Sequence, residues 1–183
     1  MIKNNWSKIN DFSMIVTERL RIVPFKTEHI TTDYISWLND KELMQFSEQR
    51  HFVHTRETCK SYVSSFNSSQ NIFLVLLNFN GEPIGTMTIY KDLSNKIVDM
   101  GILIGDKSSK GKGIGYEAWK SVYDWVVKNL KPRKVTAGCM AINTPMLKLM
   151  KSIDMQVDCV RRDHYMHNGK PIDVIYMSKF IDE

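Results

Sequence analysis

From Val98 onward, an apolar segment (Val98 to Gly105, VDMGILIG) runs into the loop Ser108-Ser109-Lys110-Gly111-Lys112-Gly113-Ile114-Gly115. A stretch follows in which Ile114, Ala118, Val122, Trp125 and Val126 recur at helical spacing. This demands a strand that ends in a tight glycine turn and hands over directly to a helix. Three glycines at alternate positions let the backbone turn sharply and approach a ligand closely. The helix start contributes unpaired N–H groups and the positive end of its dipole, and Lys110 and Lys112 add charge. In physical terms the loop is a cradle for a diphosphate. Two better-known phosphate loops are excluded. In a Walker A reading, Gly105 lies one residue too far from Gly111-Lys112, and Gly113 stands where a hydroxyl is needed. A dinucleotide fingerprint needs G-x-G-x-x-G after the first strand, whereas this loop is G-x-G-x-G after the fourth.

The rest of the chain reads as one continuous domain without repeats or linkers, residues 1–183, with residues 1–13 as a loosely packed extension. Arg19 to Phe25 is a first strand; Thr27 to Leu38 and Thr55 to Phe66 are helical, the second capped by Thr55. Asn71 to Asn78 (NIFLVLLN) is a buried strand that turns at Asn80-Gly81 into Ile84 to Tyr90. After the glycine loop and its helix come a strand (Arg133 to Met140) and a helix opening at Asn143-Thr144-Pro145, with Thr144 as its cap. Two strands, Gln156 to Tyr165 and Ile172 to Phe180, then flank Asn168-Gly169. This order predicts an α+β fold with a mixed, mainly antiparallel sheet.

Charge is concentrated where the loop lies. Between Lys107 and Lys151 ten Lys or Arg face only Glu117 and Asp124, while the chain as a whole carries +5. A polyanionic partner is expected there, either nucleic acid or a phosphorylated cofactor. No exposed aromatics interleave with the cations in a recognisable pattern, which argues against nucleic acid. Cys59, Cys139 and Cys159 have no zinc or disulfide spacing, His54, His164 and His167 have no metal spacing, and no metal is expected. No apolar run is long enough to span a bilayer and the N-terminus lacks a signal core, so a cytoplasmic protein with no membrane partner is expected.

Lys110-Gly111-Lys112-Gly113-Ile114-Gly115 resembles the [Gln/Arg]-x-x-Gly-x-[Gly/Ala] signature of the GNAT acetyltransferases, with Lys in the first position. The resemblance extends from Glu18-Arg19-Leu20 to the Asn168-Gly169 hairpin. Trp37-Leu38-Asn39-Asp40 and Asn143 match the branch containing ribosomal-protein Nα-acetyltransferases and amino-sugar or small-amine acetyltransferases. The resemblance implies acetyl-CoA as cosubstrate. Ile102, Leu103 and Ile104 would pair with its pantetheine arm, Lys110, Gly111, Lys112, Gly113, Ile114 and Gly115 would hold the pyrophosphate, and Asn143 would reach it from the following helix. It departs from the family at Met150, where many relatives carry a Tyr that protonates the thiolate, and at Asp154-Met155, which replaces Gly-Phe.

Acetyl transfer to an amine needs a neutral nucleophile, oriented reactants and a stabilised oxyanion. Asp99, on the strand expected to carry the thioester, and Glu48, in the polar Ser47 to Arg56 stretch, are the acid/base candidates. Cys139 has no His or Asp spacing to make it a nucleophile, so direct transfer is expected. The expected acceptor is a small-molecule amine such as a nucleotide-linked amino sugar, with a protein N-terminus as the alternative. A non-catalytic acyl-CoA binder and a homodimer remain open.

Overall fold

The computed structural model describes residues 12–181. Among these residues eight strands form one sheet in the order β1-β2-β3-β4-β5-β6-β8-β7. They are β1 (Ile15–Val16), β2 (Arg21–Pro24), β3 (Ile72–Leu77), β4 (Pro83–Asp92), β5 (Ile97–Ile104), β6 (Lys134–Met140), β7 (Gln156–His167) and β8 (Lys170–Phe180). Every neighbouring pair is antiparallel except β5 and β6, so the expected mixed, mainly antiparallel sheet is found. Among the described residues four α-helices cover it: α1 (Thr32–Asn39), α2 (Arg56–Asn67), α3 (Ile114–Trp125) and α4 (Thr144–Lys151).

Strand parity sorts the core into two faces. On β3, Ile72, Leu74 and Leu76 pack with α3 and α4, including Trp119, Val122 and Met150. Phe73 and Val75 point the other way, against Tyr34 and Trp37 of α1 and Cys59 and Val63 of α2. A strand buried on both faces is apolar at every position, which is why IFLVLL shows no alternation.

Local chemistry explains most element boundaries. Thr55 caps α2 as expected, accepting from Thr58 N–H. The hairpin at Asn168-Gly169 has both residues at positive φ (50° and 75°), the geometry of a type I′ turn. The stretch expected as one helix from Thr27 to Leu38 is instead split. A 3₁₀ turn at Thr27–His29 ends at Ile30, and the Thr31 hydroxyl accepts from Tyr34 N–H to start α1 afresh. The cap of α4 is Asn143 and not Thr144; its side chain accepts from Met146 N–H at 3.2 Å, placing Thr144 inside the helix. Strand β1 was not anticipated. Of the expected extension 1–13, residues 1–11 lie outside the described residues, whereas Phe12 is buried with its ring edge-on to Trp125.

Candidate active site

The parallel pair β5–β6 sets up the site. Their registered pairing covers only Ile97–Lys134, Val98–Val135 and Asp99–Thr136, whereas β5 remains paired with β4 as far as Ile104. Past Asp99 the two strands therefore part, and one edge of β5 is left open. Gly105 N–H bonds back to Ile84 O on the β4 side (3.0 Å). Because backbone groups alternate along a strand, the N–H groups of Ile102 and Ile104 face the open edge.

The glycine loop closes the end of this fork. Gly111 and Gly113 both have left-handed backbones (φ 73° and 78°), which glycine adopts without strain. Gly113 is the N-cap of α3 and has no side chain with which to cap it. The first backbone bond in the helix is Glu117 N–H to Gly113 O, leaving the preceding N–H groups available to an anion. The loop is anchored from behind. Glu117 accepts from Thr17 Oγ1 (2.5 Å), Arg19 N–H (2.8 Å) and Arg19 Nε (2.6 Å), while Arg19 Nη1 donates to Lys112 O (2.7 Å). Burial would raise the Glu117 pKa, but these bonds outweigh it and hold the carboxyl below its ordinary value.

Two cavities flank β5. One, of about 690 Å³, lies in the fork and is lined by Ile102, Leu103, Ile104, Lys110, Gly111, Gly113, Ile114, Gly115 and Asn143, together with Tyr116 and Cys139. Lys112 is absent from this lining; its carbonyl is engaged by Arg19. The other, of about 520 Å³, opens between the sheet, α1, α2 and the segment joining them. Its floor is buried and mostly apolar, with Tyr34, Cys59, Phe73 and Met87. Phe52 and Val53, 64% and 80% exposed, form its rim. Ser47, Gln49, His54, Thr58, Thr86 and Thr88 supply its polar groups. The two cavities share Gly101, Ile102 and Leu103 of β5, with Met44 and Ser47 above them.

The family model described as acetyltransferase (GNAT) domain matches residues 19–156. The chain belongs to the GNAT acetyltransferase family. It is 27% identical over 156 residues to an N-acetyltransferase 9-like protein of Caenorhabditis briggsae, covering 79% of this chain and 77% of that one. Solved structures share its fold, two of them as follows. The ribosomal-protein-S5-alanine acetyltransferase of Vibrio fischeri has a TM-score of 0.80 at 20% identity, covering 93% and 97% of the two chains. The spermidine N-acetyltransferase of Vibrio cholerae, in complex with CoA and spermine, has a TM-score of 0.80 at 14% identity, covering 90% and 96%.

As a GNAT enzyme the chain is an acetyl-CoA-dependent acyltransferase, and the Trp37-Leu38-Asn39-Asp40 motif acquires a physical meaning. The Trp37 indole occupies the space a side chain at Gly105 would fill, so β5 needs glycine at its exit. Asn39 clamps the backbone of His54 from both sides, donating to its carbonyl (2.8 Å) and accepting from its N–H (3.0 Å). Asp40 caps the next turn and pairs with Lys107 at 2.9 Å, tying α1 to the loop after β5.

The two carboxylates expected to serve as acid or base line neither cavity. Asp99 is turned onto Thr136, whose hydroxyl donates to it at 2.8 Å, and so bridges the point where β5 and β6 separate. Burial raises its pKa and the Thr136 bond offsets only part of that. Glu48 is drawn into an ion pair with Arg50 at 2.6 Å, and Arg50 also donates to Met166 O on the β7–β8 hairpin. Met150 is fully buried in the core, and Tyr165 lines neither cavity.

Sequence reasoning weighed His54 as a metal ligand and did not single it out as a base. Its Nε2 lies 3.1 Å from Gln49 O, a group that can only accept, which assigns the hydrogen to Nε2 and leaves Nδ1 as an acceptor. No spacing in the sequence signals this, because the backbone of His54 is held by Asn39 from another element. Burial pushes the Cys139 thiol up to about 11, so it is protonated at neutral pH.

Proposed function

We propose that this enzyme transfers the acetyl group of acetyl-CoA directly to a primary amine, with the two substrates meeting across Gly101–Leu103. The single observation that carries this reading is that the fork cavity and the second cavity share those three residues of β5. When bound, acetyl-CoA supplies an activated thioester. Its diphosphate would be held by the N–H groups at the start of α3 and by Lys110. Its amide-bearing arm would add to the open edge of β5 as an extra strand. Asn143, with its carbonyl oxygen committed to capping α4, keeps its amide N–H₂ for this cavity.

On the other side, the second cavity would orient the amine toward the same strand segment. Holding both reactants in line is worth on the order of 7–11 kcal/mol at best. An N–H of Ile102 on the open edge would stabilise the developing oxyanion, an interaction commonly worth about 3 kcal/mol. His54 Nδ1 is our candidate for the group that accepts the ammonium proton, directly or through water. Among the described residues lining this cavity there is no carboxylate, Lys or Arg, and desolvation raises the pKa values of the Tyr34 and Tyr62 hydroxyls. Asp99, at the fork, would act by holding β5 and β6 in position. The protonated, buried Cys139 thiol speaks for direct transfer over an acetyl-enzyme.

The test is to saturate the protein with acetyl-CoA and measure thiol release with and without amines. Amine-dependent release supports the reading. Tight acetyl-CoA binding with no release for any amine would favour a non-catalytic acyl-CoA binder.

A further inference from the structure

We infer that the acceptor is a primary amine carried on an apolar body, aromatic or long aliphatic, without a phosphate, carboxylate or second ammonium beside it. This rests on the acetyl-transfer reading above and specifies its second substrate. The cavity floor presents Tyr34, Cys59, Phe73 and Met87, all buried, and its polar groups are hydroxyls, an amide and one imidazole. Among the described lining residues no Lys or Arg is available to a diphosphate, and no carboxylate is available to a polyamine. A charged group brought into such a site loses water without gaining a partner, which is strongly unfavourable. The nucleotide-linked amino sugar expected from the polar Trp37 to Arg56 composition therefore loses its support. Within that stretch Glu48 and Arg50 are paired with each other, and Asp40 is paired with Lys107.

The rim points the same way. Phe52 and Val53 are adjacent large apolar side chains left 64% and 80% exposed at the cavity mouth. They follow a short 3₁₀ turn, Glu48–His51, that Arg50 fastens to the β7–β8 hairpin. An apolar ligand body would remove both from water together with the floor, whereas a hydrophilic ligand would leave them exposed. The chemistry has two sources, a free arylalkylamine or the first residue of a peptide beginning with Met, Leu or Phe, and the two can be separated experimentally.

The experiment measures kcat/KM with saturating acetyl-CoA for 2-phenylethylamine, peptides beginning with Met, Phe or Ser, spermidine and a uridine-diphosphate amino sugar. We expect 2-phenylethylamine or the Met and Phe peptides to exceed the others by at least about tenfold, as hydrophobic pockets discriminate by group size. Activity on the amine alone identifies the small-molecule source; activity on the peptides alone identifies the peptide source. Val53→Asp, at an exposed position that tolerates the change, should lower turnover of the apolar acceptor, raise that of spermidine and leave the acetyl-CoA Kd unchanged. Highest kcat/KM for spermidine or the sugar nucleotide, or values equal within about threefold, would overturn the inference. Should acetyl-CoA bind and no amine be turned over, the transfer reading fails by itself. Calorimetry then decides the cavity's chemistry: saturable binding of 2-phenylethylamine without spermidine supports it, and the reverse overturns it.

Discussion

Replacing Glu117 by Ala removes one carboxylate that fastens the glycine loop to the turn before β2. The side chain is 13% exposed and accepts three hydrogen bonds, two from Arg19 and one from Thr17. Hydrogen bonds to charged groups are worth about 1.5–3 kcal/mol each when measured singly. The Arg19 side chain is 42% exposed and can rehydrate, so the sum is far from additive. A loss of about 2–3 kcal/mol is expected, which lowers Tm by about 5–10 °C for a chain of this size. Arg19 also holds Lys112 O, so loosening it should raise the acetyl-CoA Kd several-fold. The sign with pH is fixed by the depressed carboxyl. Because the folded pKa lies below the ordinary 4.5, the anchor's contribution is complete above that value and is lost as pH falls through the folded pKa. Thermal melts and calorimetric titrations at neutral pH and near pH 3 check both statements. A variant that melts within 1 °C of the parent (about a few tenths of a kcal/mol) at neutral pH would refute the anchor.

Gly113→Asp places a carboxylate on the uncapped start of α3 at φ 78°, where a Cβ meets only Arg19 Nη2 at 3.6 Å. The fold should survive while the acetyl-CoA Kd rises at least about tenfold by calorimetry, or about 1.4 kcal/mol. Asp99→Asn keeps an acceptor for Thr136 and removes a half-buried charge. The raised folded pKa means that ionisation costs stability as pH rises, so the variant should melt at or above the parent temperature at pH 7, with the difference shrinking below about pH 4. Its kcat/KM should escape the roughly 10²–10⁴-fold loss expected of a missing general base, as steady-state rates will show. His54→Ala should suffer a loss of that order in kcat with an unchanged acetyl-CoA Kd, and added imidazole should restore part of the rate. A loss unresponsive to imidazole would make His54 a structural residue.

Much of the fold was legible because its signals are local. The all-apolar Ile72–Leu77 run, the Asn168-Gly169 turn and the Gly111–Gly115 loop each encode their geometry within a few residues. The site was legible only as far as it is built on that loop and on β5. What decides the placement of Asp99 and Glu48 is long-range or conformational. Thr136, 37 residues away, takes the Asp99 carboxylate, and Arg50, which the hairpin at Met166 helps to hold in place, takes Glu48. The fork is equally invisible in sequence, since it depends on where two strands from distant segments stop pairing. The choice of Asn143 over Thr144 as cap was local but degenerate, as both residue types favour that position.

Direct transfer across Gly101–Leu103 is tested most directly by initial rates over a grid of acetyl-CoA and acceptor concentrations, followed by intact-protein mass measurement after incubation with acetyl-CoA alone. Both substrates must be present together if each occupies its own cavity, so the reciprocal plots should intersect and the protein should gain no acetyl group. Parallel lines, with one acetyl group found on Cys139, would contradict it.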